Sequence, residues 1–471
     1  MRCLESNRTC KGYVEQANSK HIFRQHVVKD STKVPLPSES QARKCSLPAR
    51  VPAPGTSFIP DDLPPKEETE ESIEGLALRA FFYDYCVPST NLSLSRGFFH
   101  GIERMVHHRG SSSDFAQACK AVAFASHGIK LRRPLLTQNA GMLYHRLIAS
   151  LAREMSGSDL SPRSLDVLAI VVLLGVYEMI VADDMHPGYH GIHAGGMAAV
   201  LRIENSPLGL LKAVKSKHHL LDGSSTRGLF SPNAGSEKPG LDNILLDMSS
   251  FLERAKDLSN HSPENLRVLC WEARELNEHL AQWQDERPTV FKLTTVGQVV
   301  HKPPFPTPEA GYWSGNVDVY FDLYVAAAWN ISRVARCFLI DLILRISETL
   351  QDGMSTMREK ADASRQINDM LSSIPYHLCE DLPSFLRDLE SSSGIRGPGR
   401  AVGGLLLMHP IFALSQLNVV LPDTKEYLRR CLEWISVHMG IGEAARLAKA
   451  EEIDMQNLGS GCMIVWMGFL L

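Results

Sequence analysis

Residues 164–207 read SLDVLAIVVLLGVYEMIVADDMHPGYHGIHAGGMAAVLRIENSP, from Ser164 to Pro207. Leu165, Leu168, Ala169, Val172, Val176 and Ile180 recur at steps of three and four, the spacing of one helix face. The opposite face is apolar as well, so the stretch predicts a central helix buried nearly all round. Ser161 followed by Pro162 is a suitable cap and first-turn pair ahead of it. Phe321, Tyr324, Val325, Ala328, Ile331, Ala335 and Phe338 repeat the pattern, as do Leu432, Ile435 and Met439. Sustained two-residue alternation is almost absent, which predicts an all-α protein with no sheet. Tyr177, Trp329 and Trp434 read as large core fillers. Gly440, between two helical patterns, fits a left-handed helix end.

The remaining sequence sets the organisation. At 471 residues the chain has room for one large or two smaller domains. Its 44% hydrophobic and 22% charged residues are an ordinary globular balance. The net charge of −4 carries no nucleic-acid-binding signature for the chain as a whole. Residues 1–50, however, hold ten Lys/Arg against four Asp/Glu, a basic head on an acidic body. Residues 14–74 are rich in Pro, Ser and charge, end in the acidic stretch Asp61–Glu74, and predict a disordered linker. A helical domain is expected over 75–471, with flexible loops near 214–240, 301–311 and 391–404. Eight of the ten cysteines stand singly, several in apolar stretches, and read as reduced, buried thiols of an intracellular protein. No signal peptide is expected from residues 1–20, and the uncharged run Val167–Tyr177 is too short for a membrane span, which takes about 20 residues.

Cys3 and Cys10 are the exception among the cysteines. They lie six residues apart beside Arg8 and Lys11, in a segment ending Lys11-Gly12-Tyr13. Two thiolates alone do not complete a tetrahedral zinc site, and His21 and His26 carry no ligand motif. By themselves they read as two free thiols in a flexible tail. The wording Cys-x6-Cys-Lys-Gly-Tyr nevertheless resembles the end of the fungal six-cysteine binuclear zinc cluster. In that family the ligands run Cys-x2-Cys-x6-Cys, a Pro-containing loop, and Cys-x2-Cys-x6-Cys again. The resemblance implies that Cys3 and Cys10 are the fifth and sixth ligands, and that residues 1–13 are a remnant of the DNA-binding module. The fourth ligand would precede Met1, which implies a truncated gene model or an internal start.

The body resembles the regulatory domain that follows the zinc cluster in many fungal transcription factors. That domain has an apolar helix ending in Tyr-Glu, a loop, and Trp-x2-His-x2-Gly ahead of a second apolar helix. Tyr177 and Glu178 match the first mark; His193, Gly196 and Met197–Leu201 match the second, with His190 where the family often has Trp. Phe115–Met155, with Tyr144, fits the family's paired helices. Trp329, Asn330, Arg333 and Arg336 share one helix in the family manner, and Trp434-Ile435 with Met439-Gly440-Ile441-x2-Ala444 resembles the closing helical hairpin. The resemblance spans roughly residues 75–455. It implies an array of helical hairpins, a nuclear location, a homodimer, transcriptional protein partners and control of a pathway, in secondary metabolism or catabolism. It implies zinc and DNA as partners only where the cluster is complete.

Other residues in the chain are of types that carry chemistry. His186, His190 and His193 follow Asp183 and Asp184 within eleven residues, a cluster that could serve a helical metal-dependent enzyme. Pro187, Gly188, Gly191 and Gly195 interrupt it, so a turn whose histidines cap and pack the next helix is the simpler expectation. Arg333 and Arg336 beside Asn330 could line an effector pocket, though a solvated or salt-bridged helix face is the plainer expectation. Gly195-Gly196 and Gly403-Gly404 lack the phosphate-loop pattern, and neither a Gly-x-Ser-x-Gly elbow nor a His-Glu-x2-His motif occurs. Nothing argues for an enzyme. A regulator that has lost its DNA-binding head and titrates partners is the second expectation. The polypeptide of residues 1–471, with two of six metal ligands and no recognition helix, is predicted not to bind DNA specifically. A gel shift showing specific, zinc-dependent binding would overturn this.

Overall fold

The computed structural model describes residues 70–155, 164–216, 228–230, 240–300, 309–351, 355–389, 395, 397–452 and 454–471. The compact unit that carries the architecture runs from Ala77 to Leu471. Helix α1 (Glu70–Tyr85) begins within the stretch read as linker. It is followed by α2 (Ile102–Arg109), α3 (Asp114–Lys130), α4 (Pro134–Met155) and α5 (Ser164–Val181). Next come α6 (His190–Leu201), α7 (Pro207–Lys215), α8 (Leu241–Arg254) and α9 (Pro263–Asp285). The strands β1 (Thr294–Val299) and β2 (Gly315–Val319) precede α10 (Leu323–Leu350), α11 (Met357–Leu378) and α12 (Leu382–Asp388). The chain closes with α13 (Ala401–Ser415), α14 (Pro422–Trp434), α15 (Gly442–Lys449) and α16 (Met455–Met467).

The quoted stretch forms the centre. Every residue from Val167 to Ile180 on α5 is buried, and α3, α6, α15 and α16 pack against it. A second group is built on α10, which meets α9, α11 and α13. The links are consecutive: α13 packs on α14, α14 on α15, and α16 on both α13 and α6. Caps agree with the local sequence. Ser113, Ser206, Ser262 and Asp322 each accept a backbone N–H in the first turn of α3, α7, α9 and α10, and Pro follows directly in α7 and α9. The cap expected at Ser161–Pro162 lies outside the described residues.

Three expectations are corrected. A small sheet exists: β1 and β2 pair antiparallel, with an irregularity between Thr295 and Gly297. Val299, Tyr312, Val317 and Phe385 make its own small core against α12. The strands are six and five residues long and mostly exposed, too short to sustain an alternation in the sequence. The loops are also shorter than composition implied where they are described. Val214 and Lys215 close α7, and Leu229 and Phe230 are fully buried, their N–H groups held by the Asp242 carboxylate at 2.6 and 3.1 Å. Ala401–Gly404 open α13 and are buried. The core fillers are correct at Tyr177 and Trp329, each 7% exposed, but Trp434 is half-buried and stacks on His438.

Two glycines carry the close contacts. Gly440 has φ +72°, ends the π-helical turn Ile435–Met439, and lies against the Ser126 carbonyl of α3. Gly403 lets α13 approach α11 so closely that a Cβ would stand 2.1 Å from the His377 carbonyl oxygen. Gly403→Ala is expected to cost about 1–3 kcal/mol of stability in chemical denaturation, because backbone must shift. Gly459→Ala on α16, where a Cβ meets only Pro207 at 3.7 Å, is expected to stabilise by about 0.5–1 kcal/mol.

Candidate functional site

The sequence marks at the α5–α6 junction form a buried polar knot. The Glu178 carboxylate, 6% exposed, accepts the Tyr189 N–H at 2.9 Å and so sits at the N-terminus of α6. The Tyr177 ring stacks on Tyr144 of α4 at 4.5 Å, and the Tyr144 hydroxyl meets His193 Nε2 at 3.1 Å. Burial pushes the His193 imidazole down to about 4, which keeps it neutral near pH 7. His190 is wholly buried with Nε2 on the Asn457 carbonyl at 3.3 Å, while its Nδ1 finds no partner among the described residues. His186 is exposed and turns back onto Asp183, whose carboxylate also accepts the Met185 and His186 N–H groups. The three histidines therefore serve three separate contacts, which gives the metal-dependent reading of His186, His190 and His193 no support among the described residues. Among the described residues no group of three or more His, Cys, Asp or Glu is placed to hold a metal ion.

Arg333 and Arg336 are not a solvated face. Arg333 is 1% exposed and donates from Nη1 to the Tyr320 hydroxyl and to Asn330 Oδ1, both at 2.8 Å. Asn330 continues to Ser373 and His377 of α11. Arg336 donates to Asn277 at 3.0 Å and Gln284 at 2.6 Å on α9, and pairs with Asp362 of α11. The salt-bridged half of the expectation stands for Arg336, as an interior bridge joining three helices. Above it lies a polar cleft of about 620 Å³. Its other arginines are paired too: Arg274 with Glu359, Arg358 with Glu278 and Arg365 with Asp362.

A second cleft, of about 180 Å³, opens between α8, α10, α13 and α16. Ala327, Val334, Ala335, Leu406, Ala413, Val465 and Phe469 are buried in its walls. Leu245, Ile331, Phe338, Pro410, Cys462 and Trp466 line it while half-buried. Its polar members are His409, pushed by burial down to about 3, and the Cys462 thiol, pushed up by burial to about 12. Both are neutral, and among the described residues no Asp, Glu, Lys or Arg lines the cleft. The sequence offered two faint signals for it. Ile331 and Phe338 continue the apolar stripe of α10 and yet are only half-covered, and Pro410 interrupts the ladder of α13.

Cys3 and Cys10 lie outside the described residues. Cys86, Cys119, Cys270, Cys337 and Cys431 are buried thiols, as read, and Cys379 and Cys462 are half-buried. Among the described residues no helix is long and apolar enough to cross a membrane. The interior bridge yields a stability test. Arg336→Met leaves the Asn277 and Gln284 side-chain oxygens without their donor and Asp362 with Arg365 alone, and is expected to cost more than about 2 kcal/mol in urea unfolding. Arg358→Met, at an exposed pair, is expected to cost less than about 1 kcal/mol. Equal losses at the two sites would overturn the reading of Arg336 as a structural bridge.

No family model and no solved structure matches the chain. A curated relative does: transcription factor dbaG of Emericella nidulans is 47% identical over 421 residues, covering 88% of this chain and 100% of that protein. Identity at this level over 421 residues leaves one assignment: the chain belongs to the family of this fungal transcription factor.

Proposed function

We propose that this protein is a pathway-specific transcription regulator of the zinc-cluster type, acting in the nucleus through its helical body. The observation that carries the reading is the 47% identity to a transcription factor along that relative's whole length. The order of the Tyr177-Glu178, His193-x2-Gly196 and Trp329-Asn330-x2-Arg333 marks supports it, as does the Cys3-x6-Cys10-Lys-Gly-Tyr wording. The body presents helical surfaces to transcriptional partners and works as a homodimer. It is not read as an enzyme. Its buried titratable groups are engaged in holding helices together: Glu178 at the start of α6, His193 on Tyr144 and Arg336 across three helices.

Zinc and DNA enter this reading only through a complete cluster. Each zinc ion takes four ligands. Cys3 and Cys10 supply two thiolates, so the donors within residues 1–471 do not by themselves fit a binuclear centre. The regulatory role of the body is testable without the cluster. A heterologous sequence-specific DNA-binding domain fused ahead of the full chain is expected to change a reporter several-fold in a fungal host. A fusion that is nuclear, stable and bound at the reporter, yet leaves its output unchanged, would overturn the proposal.

A further inference from the structure

We infer that the cleft between α8, α10, α13 and α16 binds a neutral, largely apolar small molecule of about one ring, whose single polar oxygen is held by His409. Size comes first. A cavity of about 150 Å³ lined by apolar side chains takes up benzene. The 180 Å³ here holds a ring with one or two substituents. Charge comes next. Among the described residues its lining has no ionisable side chain other than neutral His409 and Cys462, and these offer nothing to offset desolvation of an ionic ligand. Phe338, Trp466 and Phe469 supply aromatic wall.

The polar contact rests on His409. Its side chain is 4% exposed, lines the cleft, and makes no hydrogen bond to any described residue. The Nε2 side of the ring lies against Gly461 of α16, where a Cβ would come within 2.5 Å. A neutral imidazole carries one donor and one acceptor. A ligand that covers this ring must offer it a partner, because a covered and unsatisfied imidazole is unfavourable. The interior histidines nearby are each engaged, His193 with Tyr144, His377 with Asn330 and the Gly403 carbonyl, and His190 with the Asn457 carbonyl. His409 lines the cleft instead. Directly after it, Pro410 has no N–H to offer the Leu406 carbonyl, and both residues line the cleft. A hydroxyl or carbonyl oxygen at His409 therefore has one polar partner, while the rest of the ligand meets hydrocarbon.

The inference is independent of the regulatory role. Its test uses the full chain with p-cresol (a ring with a hydroxyl), toluene (the ring alone) and benzoate (a charged ring), read by calorimetric titration and thermal shift at pH 7.5. p-Cresol is expected to bind and raise Tm with concentration. Toluene is expected to bind about three- to tenfold more weakly, the worth of one hydrogen bond. Benzoate is expected to give no shift. His409→Leu is expected to bring p-cresol and toluene to equal affinity, and Ala413→Phe, which fills the cleft, to abolish binding of both. Ala335→Leu fills the cleft from another wall and is the alternative if Ala413→Phe does not fold. Failure of both neutral probes at millimolar concentration, benzoate binding as well as p-cresol, or p-cresol binding unchanged in a folded filled variant would each overturn the inference.

Discussion

Helix α5 has no side to give to water. From Val167 to Ile180 every residue is buried, and a helix apolar on all faces is stable only when other elements surround it. That requirement explains the neighbours. α3 and α6 come from adjacent sequence, whereas α15 and α16 return from more than two hundred and fifty residues further on to close the remaining sides. Burial of each large aliphatic side chain on such a helix contributes about 1.5–3 kcal/mol, so the sum over α5 outweighs any local preference in the loops that connect its partners. The positive-φ Gly440 is a consequence of bringing α15 into place, and the close contact at Gly403 of packing α13 on α11.

A core assembled from many helices also traps polar groups, and their treatment separates framework from candidate site. Glu178 is placed at the start of α6, Asp242 holds the Leu229–Phe230 backbone, and Arg336 ties α9, α10 and α11 together. Asp242 is raised above the usual carboxylate range by burial, a cost offset by the two N–H groups it accepts. These groups are spent on the fold. His409 is different because its ring is buried at the edge of an open apolar space and has no such engagement.

For a member of this transcription-factor family, the two clefts differ in what they offer a ligand. The polar cleft beside Arg336 is neutralised internally by its own carboxylates, so it has little net field for an anion. The apolar cleft is formed by α8, α10, α13 and α16, which belong to different parts of the sequence, so whatever fills it touches all of them at once. A small molecule held there has a physical means of altering how these helices sit against one another, through its own differential contacts.

The sequence by itself determined the helical class, the central place of Ser164–Val181, the buried thiols, and the role of Tyr177 and Trp329 as core side chains. Each is local: periodicity, apolar content and cap residues act within a few turns, and burial follows from them. It also carried the family resemblance in the ordered marks between Tyr177 and Ala444. Only the tertiary structure decided what the polar residues on those helices do. His186, His190 and His193 look like one cluster along the chain, but a turn and a helix start send them to Asp183, Asn457 and Tyr144. Arg333 and Arg336 look like a wet face until α9 and α11 cover them. The short hairpin β1–β2 depends on strands separated by fifteen residues, and the cleft at His409 on four helices far apart in sequence. A cavity is a property of how well distant surfaces fit, and no local pattern encodes the space they leave unfilled.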